Sequence, residues 1–94
     1  MHEKSIMDHL MHKILHLAKE ERAAKVVKVS VKLGALSHMS KEHFKEHFDI
    51  AARGTIAQNA FIEAEESKDI HDPNAMSVVL KSIDVENGPK DFYF

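Results

Sequence analysis

The fold is decided by residues 25–33, which read KVVKVSVKL. From residue 27 onward, apolar and polar side chains alternate, which is typical of a β-strand with one buried and one wet face. The apolar positions are Val27, Val29, Val31 and Leu33. Because only one face of this strand is apolar, both neighbouring helices should cover the same side of the sheet. The stretch therefore predicts a two-layer sandwich whose other sheet face is exposed.

Two helices are expected on either side of this strand. The first covers residues 5–22, where apolar side chains recur at helical spacing and form one stripe. The second covers residues 40–53, with Ser40 as its N-cap and with Phe44 and Phe48 on its inner face. Both helices thus offer an apolar face to the strand.

Further strands are predicted at residues 60–66 (AFIEAEE) and 77–86 (SVVLKSIDVE), joined by the turn-rich connector 67–75. We also expect a short strand ahead of the first helix. The predicted order is β-α-β-α-β-β, an α/β (α+β) fold with a small mixed sheet of three to four strands. With 94 residues, the chain should form one domain, residues 1–94.

Composition excludes several classes of protein. The formal net charge of −2 argues against a nucleic-acid binder, which usually carries an excess of basic residues. Because the chain has no cysteine, a disulfide, a thiolate nucleophile and a cysteine-bound zinc are excluded. Every apolar run is too short to cross a membrane, and the first residues lack the apolar stretch of a signal peptide. We therefore expect a cytoplasmic protein.

The first three residues, Met1, His2 and Glu3, form a potential chelator. The α-amine, the backbone nitrogen of His2 and a nitrogen of its ring can close adjoining rings on one ion, and Glu3 offers a further donor. Nitrogen-rich tetragonal sites suit Ni(II) or Cu(II). Because many chains begin with Met-His by chance, the motif alone does not establish a metal site.

A family resemblance gives the motif more weight. Met-His-Glu is followed by an amphipathic helix and by VVKVSVKLGALSHMSKEHFKEHFDIAARGT at residues 26–55. AFIEAEE at residues 60–66 and VVLKSIDVE at residues 78–86 complete the pattern. In order and spacing these segments resemble the HypA/HybF nickel metallochaperones, over about residues 1–66 and 76–86.

The resemblance implies a function. Members of this family are not enzymes; they deliver Ni(II) during maturation of [NiFe]-hydrogenase and, in some organisms, of urease. They hold nickel at the N-terminal amine and Met-His-Glu residues, a role that transfers to Met1, His2 and Glu3. The resemblance also implies a nickel-insertion GTPase and a hydrogenase precursor as partners.

This sequence departs from the family pattern in two places. Some members carry an acidic residue where this chain has Ser40, which is a poor nickel ligand; His38 could replace it only if its ring faced the N-terminus. The family also inserts a zinc lobe with two Cys-x-x-Cys pairs, where this chain has only residues 67–75. His71 in that loop cannot substitute for four thiolates. We therefore expect a form without the lobe and without zinc.

Three further histidines lie on the first helix. His9, His12 and His16 fall at about 180°, 120° and 160° on a helical wheel, opposite an apolar stripe centred near about 320°. They should therefore face solvent. The three histidines together can be a weak secondary nickel site. They can also be a polar surface that happens to use histidine, which is the interpretation we favour.

His43 and His47 form an i,i+4 pair on the second helix. The zinc-protease motif HExxH is absent, because Phe44 follows His43 where that motif needs Glu. The pair flanks the Phe44 and Phe48 face, which favours packing or hydrogen bonding at the helix boundary.

Three functions remain open on the sequence. The first is a nickel carrier for enzyme maturation. The second is a HypA-like adaptor or regulator that binds proteins without transferring metal. The third is a histidine-rich metal buffer, which would bind several ions and lose little binding when His2 is replaced.

Overall fold

The computed structural model describes residues 3–87 and shows two helices and three strands in two layers. The sheet order is β2-β1-β3, with β1 parallel to β2 and antiparallel to β3. This confirms the predicted α+β class and the mixed sheet. The elements are α1 (Glu3–Glu20), β1 (Ala23–Leu33), α2 (Lys41–Ala51), β2 (Phe61–Glu66) and β3 (Val78–Asn87).

The predicted short strand ahead of the first helix is not found in the described part of the chain. Residues 1 and 2 lie outside the described residues, and Glu3 is already helical. Glu and Lys are good helix formers, so α1 begins before the predicted N-cap Ser5. It ends at Glu20 rather than Arg22, because Arg22 adopts a left-handed conformation with φ of 54°. Within residues 3–87 the sheet has three strands.

Both helices cover the same face of the sheet, as predicted. Their buried side chains form one cluster with the inner face of β1, and the largest fully buried members are Ile14, Val26, Val29, Val31, Leu33, Phe44 and Phe48. The inner sides of β2 and β3 pack against the same cluster through partly buried residues. The opposite face carries the ion pairs Lys28–Glu63 (3.1 Å) and Lys81–Glu65 (3.0 Å).

One core position predicted from the alternation is wrong. Val27 is 37% exposed, whereas its neighbour Val26 is 0% exposed. The pairing of β1 with β3 shifts between Val26 and Lys28, so β1 has an extra residue at this point. A one-residue shift reverses which side chains face inward. Val26 therefore takes the buried place expected for Val27.

α2 begins at the predicted N-cap. The hydroxyl of Ser40 accepts a hydrogen bond from the backbone N–H of His43 at 3.1 Å. The carboxylate of Glu66, at the end of β2, accepts another from the N–H of Lys41 at 2.9 Å. Both bonds satisfy N–H groups of the first helical turn, which have no partner inside the helix. The start of α2 is thereby tied to β2.

The connector between β2 and β3 lies closely against the end of β1. The N–H of Gly34 donates to the carbonyl of Ser77 at 2.9 Å, and Lys32 pairs with Asp72 at 3.1 Å. A Cβ atom at residue 34 would overlap the backbone carbonyl of Ala75. Glycine is therefore required here by close approach of two backbone segments.

Candidate metal centre

The structure locates the beginning of α1, from which the predicted nickel motif extends. Met1 and His2 lie outside the described residues, and Glu3 is described only as the first residue of the helix. Met7, about 6 Å further along the helix axis, is buried. Met7 and Asp8 line a groove with His47 and other residues of α2. The second turn of α1 therefore lies beside the C-terminal half of α2.

Neither residue considered as a further ligand near the second helix is shown to face the motif. The hydroxyl of Ser40 is engaged in capping α2. His38 is exposed and adopts a left-handed conformation with φ of 59°, in the segment between the turn at residues 35–37 and α2. The structure therefore assigns Ser40 a capping role, and the role of His38 as a ligand stays a prediction.

The histidine stripe of α1 faces solvent, as predicted. His9, His12 and His16 are all exposed. His16 lies 3.6 Å from the carboxylate of Glu20, one turn further along. His9 instead lines a groove of about 280 Å³ between α1 and the first residues of β3. The stripe is thus one exposed surface whose two ends have different neighbours.

His43 and His47 are in direct contact. Their rings stack with centroids 4.5 Å apart and an angle of 14° between their planes. His43 is exposed, whereas His47 is half-buried and borders the groove beside α1. The predicted position at a helix boundary is therefore confirmed for His47. The stacking itself was not predicted.

No complete metal site is formed by the described side chains. Among residues 3–87, no three His, Asp or Glu side chains are grouped so that they could hold one ion. His71, in the connector, is exposed, and its backbone N–H donates to the carboxylate of Asp69 at 2.9 Å. Over the same part of the chain, no helix is both long and apolar enough to span a membrane.

Comparison with known families identifies the chain. Residues 1–71 match the family model described as "Hydrogenase/urease nickel incorporation, metallochaperone, hypA". The chain belongs to the HypA family. The match includes Met1, His2 and Glu3 and continues through α1, β1, α2 and β2 into the connector.

Individual HypA proteins are similar over about two thirds of this chain. Hydrogenase maturation factor HypA from Archaeoglobus fulgidus is 35% identical over 63 residues, which are 67% of this chain and 57% of that protein. The factor of the same name from Methanococcus aeolicus is 32% identical over 69 residues, covering 69% of this chain and 56% of the relative. The chain therefore spans little more than half the length of these relatives.

A solved HypA structure has the same fold. The solution structure of the Ni metallochaperone HypA from Helicobacter pylori superposes with a TM-score of 0.75 and 19% sequence identity. The alignment covers 94% of this chain and 100% of that chain. The similarity confirms the arrangement of helices and sheet in this HypA family member.

Proposed function

We propose that this HypA family protein is a nickel-binding accessory protein, a metallochaperone that serves the maturation of a nickel enzyme such as [NiFe]-hydrogenase. The observation that carries the proposal is the family match, which includes the N-terminal Met1-His2-Glu3 motif and the helix that follows it. In this proposal Met1, His2 and Glu3 hold Ni(II) as cargo.

The donors of the motif suit a planar nickel site. An amine, a backbone nitrogen and an imidazole are nitrogen donors, which Ni(II) accepts in tetragonal geometry. The amine and the imidazole lose their protons near neutral pH, so nickel competes with protons for both. Binding should therefore weaken as the pH falls below the pKa values of these groups.

The start of α1 also bears on how tightly the cargo is held. Glu3 is the first residue of the helix, and Met1 and His2 are bonded directly ahead of it. A helix N-terminus carries partial positive charge, which disfavours a nearby cation by about 0.3–1 kcal/mol. A site of moderate affinity supports a carrier, because a carrier must release its ion.

The proposed protein is one HypA-like domain, residues 1–94, in which the short loop 67–75 stands in place of the zinc lobe. The support for this is that the loop is closed by protein contacts, with Lys32 bound to Asp72 and the N–H of Leu36 donating to the carbonyl of Ala75. In the proposal the domain needs no resident zinc, and Ni(II) is the metal ion that it binds.

The proposed role is binding and transfer, without catalysis, in the cytoplasm. The partners would be a nickel-insertion GTPase and a hydrogenase precursor, as the family suggests. Neither a nucleic acid nor a membrane has a place in this role. The net charge of −2 supports the exclusion of nucleic acid.

Nickel titration of the protein with an unblocked Met1 amine tests the proposal. We expect the d–d absorption band of planar Ni(II), and we expect His2→Ala to abolish it and weaken binding by at least about tenfold. The matched control is His71→Ala, which removes an exposed loop histidine and should leave the band unchanged. Equal binding by the His2→Ala variant and the control would refute nickel carriage by the motif.

A second candidate function is a HypA-like adaptor or regulator that binds proteins without metal transfer. It is favoured by one observation, the engagement of Ser40 as the N-cap of α2, which leaves an uncharged capping residue where some family members have an acid. This candidate predicts no nickel binding in the micromolar range by the protein with its unblocked amine. The same titration therefore separates the two functions.

A further inference from the structure

We propose that His43 and His47 form a second metal site, which binds a divalent cation of the Ni²⁺, Cu²⁺ and Zn²⁺ class through two imidazole nitrogens. The site lies wholly within α2 and uses no atom of Met1, His2 or Glu3. It therefore stands or falls independently of the function proposed above.

The spacing of the pair on one face of α2 suits a chelate. Residues four apart on a helix are neighbours on one face, and two histidines at this spacing are a known way to bind zinc. The two rings lie 4.5 Å apart and are inclined by only 14°. Because the lone pairs of the ring nitrogens lie in the ring planes, the stacked rings must turn before one nitrogen of each can face a shared ion, and the broad second side-chain torsion of histidine permits this turn.

The backbone beneath the pair is held rigidly. Phe44 and Phe48 each follow one of the histidines in sequence, and both are fully buried in the core. The N–H of His43 is bound to the capping Ser40 at 3.1 Å. His47 is half-buried, which restricts the positions its ring can take. Because less motion is lost on binding, such preorganised ligands bind more tightly than mobile ones.

The surroundings of the pair favour a cation. Asp8 of α1 lines the same groove as His47, and its carboxylate brings negative charge to that groove. No third donor completes the set among residues 3–87, so the remaining coordination positions would be taken by water or by an incoming ligand. An open site of this kind exchanges its metal readily.

The chain contains a second i,i+4 pair that serves as a comparison. His12 and His16 on α1 have the same spacing, but both are exposed, and His16 lies near Glu20 at 3.6 Å. Their side chains have more freedom to lose on binding than those of the stacked pair. If preorganisation decides affinity, the pair on α2 binds metal more tightly than the pair on α1.

The experiment uses the full chain with His2→Ala, so that the N-terminal motif cannot contribute its imidazole. Nickel chloride is titrated at neutral pH by calorimetry into this parent, into the parent with His43→Ala and His47→Gln, and into the parent with His12→Ala and His16→Ala. Glutamine is chosen at residue 47 because this position is half-buried. Circular dichroism of each variant checks the fold.

We expect the change at residues 43 and 47 to weaken nickel binding by at least about tenfold, since losing a ligand should cost no less than losing a group that supports one. The control pair should change it by less than about twofold, within the small coupling expected of distant sites. Equal losses in the two variants, or no loss from the change on α2, would overturn the proposal.

A measurement on the His2→Ala parent alone covers the case in which the α2 variant fails to fold. Paramagnetic Ni(II) should broaden the NMR signals of the His43 and His47 rings at lower metal concentrations than those of His12 and His16. Broadening that begins at His12 and His16 would contradict the proposal.

Discussion

Replacing Gly34 with alanine should open the connector between β2 and β3. The backbone at residue 34 lies outside the left-handed region, so alanine meets no torsional strain there. The difficulty is contact, because the new Cβ would overlap the carbonyl of Ala75 and approach the carbonyl of Asn74. These are backbone atoms, which cannot rotate away as a side chain could.

The expected cost of Gly34→Ala follows from the contacts that the connector would lose. The N–H of Gly34 donates to Ser77 at 2.9 Å, and the N–H of Leu36 donates to Ala75 at 2.7 Å. Two hydrogen bonds at about 1 kcal/mol each, with about 1–3 kcal/mol for overpacking, give about 3–5 kcal/mol. That is a large share of the about 5–15 kcal/mol that stabilises a domain.

Urea unfolding followed by circular dichroism measures this cost, and Gly54→Ala is the matched control. Gly54 has a φ of 77° and no heavy atom within 4 Å of its would-be Cβ, so alanine there should cost only about 1–2 kcal/mol of left-handed strain. Amide exchange at Leu36 should also accelerate in Gly34→Ala. If Gly34→Ala were no more destabilising than Gly54→Ala, the reasoning about the connector would be refuted.

Two further predictions concern single side chains. Ser40→Ala should lower the free energy of unfolding by about 0.5–2 kcal/mol, because it removes the N-cap, whereas Ser40→Asp should preserve it; equal urea midpoints for the two variants would contradict this. The backbone N–H of Asn74 and the ammonium of Lys32 hold the pKa of Asp72 below its ordinary value of 3.8. The charged form thus stabilises the fold above that pH and is lost as the pH falls through the lowered pKa. Asp72→Asn should therefore destabilise the protein at pH 7, and the difference should shrink in acid; thermal unfolding that shows a constant difference would argue against the pairing.

Local signals in the sequence predicted most of the secondary structure. The alternation in residues 29–33 identified the buried face of β1, and Ser40 followed by a helical pattern identified the start of α2. These features depend on side chains close together in the chain, so propensity and period are enough to find them. Because β1 has a single apolar face, the sequence also predicted that both helices cover the same face of the sheet.

The features that the sequence did not predict depend on contacts between distant segments. Val26 is buried in place of Val27 because the pairing of β1 with β3 is shifted, and β3 lies about 60 residues away in the chain. Spacing alone places His43 and His47 on one face of a helix, but the stacking of their rings depends on side-chain rotamers. Spacing also could not separate this pair from His12 and His16.

The most direct test of nickel carriage by the N-terminus is to block its α-amine. The protein with a free Met1 amine is compared with the same protein after acetylation of that amine, and planar Ni(II) is followed by its d–d band. Acetylation keeps every side chain but removes the basic amine as a donor. The account predicts that the acetylated protein loses the band, and a band of equal strength in both proteins would contradict it.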